Sequence, residues 1–166
     1  MLIQDVDRVV RAETVVNAGV NQVWDAWTTN DGIKSFLAPD CNVEIRIDGP
    51  YQIFFDPEAE PGLKGADDMI VLAFQPRKML SFTWNAPTLF PNVRPHRTHV
   101  VVRFFSEGDE RTRVTLWHDG WGEGEEWDQA FDYFTRAWQQ VVMPLLKYRF
   151  EHGPLDWNNL PQLDEA

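Results

Sequence analysis

Four histidines, one cysteine and a glycine-rich turn are the features of this chain whose types and spacing could do chemistry. His118 stands first. It falls in phase with Val114 and Leu116 on a strand, so its imidazole shares their apolar side. A histidine in a cavity would be a polar anchor or a general acid/base. A lone inward histidine is more often a satisfied core residue. His96 and His99 are three apart, and odd spacing on a strand sends side chains to opposite faces. With no cysteine partner and no HExxH pattern, no metal site is expected. Gly120-x-Gly122-x-Gly124 lies between a strand and a helix, which raises a dinucleotide loop. That fingerprint wants glycine where Glu125 stands and a parallel strand after the helix. Glu123, Glu125 and Glu126 would repel a pyrophosphate, so the glycines are expected to make a tight strand-to-helix turn and no cofactor is expected. Cys41, the single cysteine, is expected to be a small core residue. No Gly-x-Ser-x-Gly elbow or Walker-type loop occurs.

The elements that must position these groups follow from periodicity. Arg8 to Val16 predicts a strand rich in β-branched residues. Val20, Val23, Trp24 and Trp27 predict a short helix to about Thr28. Asn30-Asp31 can cap a second helix through Leu37, stopped before Pro39. Val43, Ile45 and Ile47 alternate with polar residues as a half-buried strand, and Asp48-Gly49-Pro50 turns into Tyr51 to Phe55. Further strands are expected at Met69 to Phe74, around Leu80 to Trp84, at Thr98 to Ser106 and at Arg111 to Asp119. Ala86 to Pro95 holds three prolines and little polarity, so it must be a loop that lies on something. From Trp127 the spacing Phe131, Phe134, Trp138, Val141, Leu145 traces one helix face. Glu123, Glu125, Glu126 and Asp128 suit the positive end of that helix. Pro144 predicts a kink or an early stop. The tail has no periodicity, although Trp157 and nearby leucines suggest partial docking.

Strand, two short helices, six strands and a long helix make an α+β, helix-grip architecture. A curved antiparallel sheet wraps around the long C-terminal helix, with two short helices after the first strand. One domain over 1–150 and a tail over 151–166 are expected, a length that suffices for a sizeable core.

Composition narrows the function. Eight Trp and eleven Phe are unusually many, and side chains of that kind line a bulky core or an apolar pocket, core packing being the commoner role of any single ring. Acidic residues outnumber basic ones 26 to 15, a net charge of −11 that repels phosphate backbones and anionic membranes. Nucleic acid is therefore not an expected partner. No window approaches the ~20 apolar residues of a membrane span, and the N-terminus lacks the apolar run of a signal peptide. With a lone cysteine, a cytoplasmic location is expected.

The segments WDAWTTNDGIKSFLAP, FxPRKMLSFTW (spelled FQPRKMLSFTW here) and TRVTLWHDGWGEGEEWDQAFDYFTRAW resemble the START-like (SRPBCC) superfamily. Within it they are similar to bacterial homologues of the activator of heat-shock-protein-90 ATPase. The resemblance covers about Arg8 to Phe150 and is most specific in the strand–glycine–helix segment. It implies the helix-grip fold and a hydrophobic ligand held between sheet and helix. That branch also tends to keep a histidine where His118 stands. The eukaryotic co-chaperone that gives the branch its name has an additional domain absent here.

Sequence and resemblance together give a leading expectation of a non-enzymatic module binding a lipid, polyketide or aromatic small molecule. The expected lining is Tyr51, Ile53, Phe55, Leu72, Phe82, Trp84, Val100, Val102, Leu116 and His118 from the strands, with Phe131, Phe134 and Trp138 from the helix. The loop Pro87 to Pro95 would be a lid. A cyclase- or hydrolase-type enzyme using His118, and a chaperone-linked interaction module, are the alternatives. Both a monomer and a homodimer are compatible with the sequence.

Overall fold

The computed structural model describes residues 8–163. The first seven residues, on which the signal-peptide expectation partly rests, and the last three of the tail lie outside it.

The alternation of apolar and polar residues sets the main sheet. Five antiparallel strands run in the order β1-β7-β6-β5-β4, with β1 at Val10–Val16, β4 at Val71–Gln75, β5 at Met79–Trp84, β6 at Thr98–Ser106 and β7 at Thr112–Asp119. Val100, Val102 and Phe104 of β6 and Val114, Leu116 and His118 of β7 share the buried face, as period-two patterning requires. The curved sheet receives the long C-terminal helix on that face. This is the helix-grip arrangement.

A separate hairpin pairs β2 (Asp40–Val43) with β3 (Tyr51–Phe54). An isolated bridge between Pro50 and Ile70, the residue before β4, links it to the main sheet, and one between Phe54 and Gly65 joins it to the intervening loop. The expected strand through Ile45 and Ile47 is corrected here. After Val43 the chain makes tight backbone bonds, Arg46 N–H to Glu44 O and Gly49 N–H to Arg46 O, and Ile47 is 56% exposed. Alternating β-branched residues lost to the turn chemistry of Asp48-Gly49.

Helix α1 spans Val20–Thr28 and buries Val23 and Trp27. Helix α2 spans Asn30–Phe36, capped by Thr29, whose Oγ1 accepts from the Gly32 N–H at 2.9 Å. Thr29 displaces Asn30 and Asp31 from the expected capping role because it is the last extended residue. The Asn30 amide oxygen instead accepts from the Val43 N–H at 2.9 Å and ties α2 to β2.

The C-terminal helix is one rod with an irregular centre. Helix α3 (Glu125–Arg136) passes into a π-helical turn (Ala137–Val142) and continues as α4 (Met143–His152). Met143 N–H bonds to Trp138 O, five residues back. Pro144 therefore does not end the helix: it sits in the first turn of α4, and the irregularity is absorbed upstream in the wider turn. The added residue per turn also shifts the buried stripe. Phe134, Trp138, Val142 and Leu145 are buried, whereas Val141 is 47% exposed. Gly124 precedes the helix at φ 123°, a value that suits glycine, and leaves Glu123 outside the first turn.

The tail docks as its aromatic suggested. Leu155 N–H bonds to Ser35 O and the Trp157 indole donates to Lys34 O at 2.7 Å, both on α2.

Candidate functional site

His118 sits at the centre of the sheet–helix interface with no exposed surface. The Trp138 indole N–H, which can only donate, reaches its Nδ1 at 3.0 Å. Nδ1 must then be the acceptor, so the neutral ring carries its proton on Nε2. That nitrogen donates to the Thr98 hydroxyl at 2.6 Å, and the hydroxyl passes its own proton toward Trp84 O at 3.4 Å. Trp121 and Phe134 close over the ring at 4.5 and 4.9 Å. Burial, reinforced by the charge of His99, lowers the pKa to about 3. His118 is a neutral strut with both nitrogens engaged. It joins Trp138 to β6 and presents neither nitrogen to an open space.

The other candidate groups are dispersed. His96 lies beside Trp127 and His99 faces Asp119 across the strand pair. Among the described residues no cluster of three His, Cys, Asp or Glu is arranged as metal ligands. The Cys41 thiol rests on the Asn30 carbonyl and amide oxygens, and burial raises its pKa to about 11, so it is held as the unreactive thiol.

An apolar cleft opens next to the strut. It encloses about 490 Å³ between the π turn on one side and the ends of β3 and β5 on the other. Phe134, Trp138 and Val142 form its helix wall, with Tyr133, Ala137 and Val141 beside them, and Phe55, Trp84 and Pro87 stand opposite. Phe55 and Val141, each 47% exposed, are apolar side chains whose exposure is accounted for by lining this space. The residues of the lining with polar side-chain atoms beyond the indoles are Asn85, Tyr133, Arg136 and Gln140. The Trp84 and Trp138 rings lie 5.5 Å apart. His118 thus fixes one wall through the Trp138 indole, and Thr98 bonds the backbone of the other.

The expected lining divides accordingly. Phe55, Trp84, Phe134 and Trp138 are brought together at the cleft. Tyr51, Ile53, Phe82, Val100, Val102 and Leu116 are fully buried core residues behind it. Tyr51 stacks on Phe82 at 4.2 Å and its hydroxyl donates to Trp27 O. Phe131 is half-buried against Trp121 and Arg8, away from the cleft. Leu72 is corrected: the pairing of β4 slips between Val71 and Ala73, which turns Val71 inward and leaves Leu72 37% exposed. Missed as lining by sequence reasoning were Gly65, Asn85, Tyr133, Arg136, Ala137, Gln140, Val141 and Val142. The π turn decides that Val142 is buried in this wall while Val141 lines it from a more exposed position.

The proline-rich loop is fastened, not hinged. Arg94 donates to the carbonyls of Ala86, Gly62 and Gly65, and its guanidinium lies 3.5 Å from the buried Asp67 carboxylate. Asp67 in turn accepts from the N–H groups of Gly62 and Gly65. Phe90 packs on Tyr133, and the Glu126 carboxylate accepts from Asn92 N–H at 3.1 Å. The rim residues Gly65, Asn85 and Pro87 are therefore held in a preset position.

The chain belongs to the family of activator of Hsp90 ATPase homolog 1-like proteins, whose family model matches residues 17–149. No curated protein matches its sequence. Among solved structures it is similar to protein MLL2253 from Mesorhizobium loti, at 21% identity and TM-score 0.69, over 89% of this chain and 100% of that one. DynU16, a putative protein in the dynemicin biosynthetic locus, matches at 19% identity and TM-score 0.66 over 89% of this chain. The match spans 49%, about half, of DynU16. The Aha1 dimer from Colwellia psychrerythraea matches at 20% identity and TM-score 0.64, over 87% and 97% of the two chains. At these identities the likeness is one of fold. No helix among the described residues is long and apolar enough to cross a membrane.

Proposed function

We propose that this family member binds an apolar small molecule, of lipid, polyketide or aromatic type, in the cleft between the π turn and the ends of β3 and β5. The observation that carries the reading is the cleft itself. Its volume of about 490 Å³ falls within the ~300–1,000 Å³ of small-molecule pockets, and its walls are aromatic and aliphatic side chains with few polar atoms. The walls are preformed, because the Trp138 indole is hydrogen-bonded to His118 and the rim is fastened through Arg94. Preorganisation matters for affinity. Each large side-chain equivalent buried contributes on the order of 1.5–3 kcal/mol, and ordering a loose pocket would cancel much of it. The occurrence of a π turn in the wall supports the same reading, since such turns are frequent at functional sites.

The engagement of both His118 nitrogens favours binding over the cyclase or hydrolase alternative.

The test is a neutral fluorescent probe, N-phenyl-1-naphthylamine, titrated into the protein and into Ala137→Trp, which fills the cleft. Probe fluorescence should rise with the native chain, and affinity should fall at least about tenfold in the variant while its unfolding midpoint stays close to native. Equal binding by a folded Ala137→Trp protein would refute the assignment of the site. Native mass spectrometry of the freshly purified protein should show a retained small molecule.

A further inference from the structure

We infer that the cleft's occupant is an amphipathic anion: an apolar body ending in a carboxylate, with the charged end received by Arg136 and Gln140. The inference rests on the apolar-ligand reading above and adds the chemistry of one end of that ligand.

The position of the polar groups comes first. Arg136 and Gln140 are four residues apart and so form one row along the helix, adjoining the row of Tyr133, Ala137 and Val141 that also lines the cleft. A ligand lying on the apolar row would have beside it two side chains that can donate hydrogen bonds, so that a polar group on it could be received there. The guanidinium of Arg136 is a planar fork that matches a carboxylate with two N–H donors, a fit an ammonium does not offer.

The charges around the cleft come second. Acidic residues make up 26 of 166 in this chain, yet no Asp or Glu lines the cleft. Arg136 takes part in none of the ion pairs among the described residues, a condition it shares with Arg11, Arg77, Arg97, Arg103 and Arg149, but of these it alone lines the cleft. The cationic donor at the cleft is therefore not neutralised by its own wall. On the opposite side Asn85 commits its amide N–H to Gly65 O at 3.1 Å. That bond orients Asn85 and leaves Arg136 and Gln140 as the lip that receives charge.

The long-range field of a chain with net charge −11 opposes any anion. Selection for a carboxylate must then come from close contact at the lip, and its size is set by a partly exposed ion pair. A preference of about three- to tenfold over an uncharged analogue is the expected scale.

The experiment compares decanoate with decan-1-ol by isothermal titration calorimetry, at a pH near 8 where the acid is ionised, for the native chain and for Arg136→Gln. The native protein should bind decanoate about three- to tenfold tighter than the alcohol. The variant should lose that difference, the ratio of the two affinities falling to about one because decanoate binding weakens more than decan-1-ol binding. Binding of both ligands with no preference for the acid, or a preference that survives in Arg136→Gln, would overturn the anion assignment and leave the apolar-cleft reading standing. Binding of neither ligand would overturn both.

Discussion

Acid should destabilise this protein through His118, and the size of the effect follows from its hydrogen bonds. In the folded state the ring is neutral, with its pKa lowered to about 3 by burial. In the unfolded chain it returns to the ordinary value of about 6.5. The unfolded state therefore binds the additional proton below about pH 6.5. The stability contributed by the neutral ring is complete above that pH and is lost as pH falls toward about 3. The linkage amounts to roughly 1 kcal/mol at about pH 5.5 and roughly 3 kcal/mol at about pH 4.5. His118→Gln supplies the control. Its amide oxygen can accept from Trp138 N–H and its amide N–H can donate to Thr98, but it does not titrate. Urea unfolding followed by tryptophan fluorescence, at about pH 8, 5.5 and 4.5, should show the native chain losing stability faster than the variant by those amounts. Other groups titrate alike in both proteins and cancel in the difference. Parallel pH profiles would refute the neutral, doubly bonded ring. A ¹⁵N spectrum showing the Nε2–H tautomer at about pH 5 would support it independently.

Two further outcomes test the geometry that shapes the cleft. Replacing Arg94 by Met leaves the buried Asp67 carboxylate without its counter-charge and the Ala86 and Gly62 carbonyls without their donor, while Gly65 O keeps Asn85, so it should cost about 3–5 kcal/mol in chemical denaturation. A loss under about 1 kcal/mol would show that the rim is not held there. The π turn predicts that Val142→Ala costs about 1–2 kcal/mol and Val141→Ala under about 0.5 kcal/mol. The reverse order would restore an unbroken α-helical register.

How much of this was legible in the sequence depends on whether the deciding interaction was local. Strands β6 and β7 could be read residue by residue, because alternation alone decides which side chains turn inward. The order of elements followed from them and from the two short helices. Local competition misled at two places: Ile45 and Ile47 carry a strand pattern that the Asp48-Gly49 turn overrides, and Leu72 fits an inward phase until the pairing slips. Arg94 gave no signal, because an arginine in a proline-rich loop looks solvated until its carbonyl partners, some 30 residues away in sequence, are brought to it.

The long helix marks the limit most clearly. Ala137 to Val142 are ordinary helix residues, and no local preference distinguishes an α turn from a π turn there. The distortion was expected at Pro144 and occurs just before it. One added residue then decides which of two adjacent valines enters the core, and it leaves Val141 exposed at the cleft. The phase of the histidine placed it on the inward face and favoured a satisfied core residue over a catalytic group, but it did not say which groups would satisfy the ring. With the Trp138 indole N–H on Nδ1, the same residue is what holds the cleft wall in place.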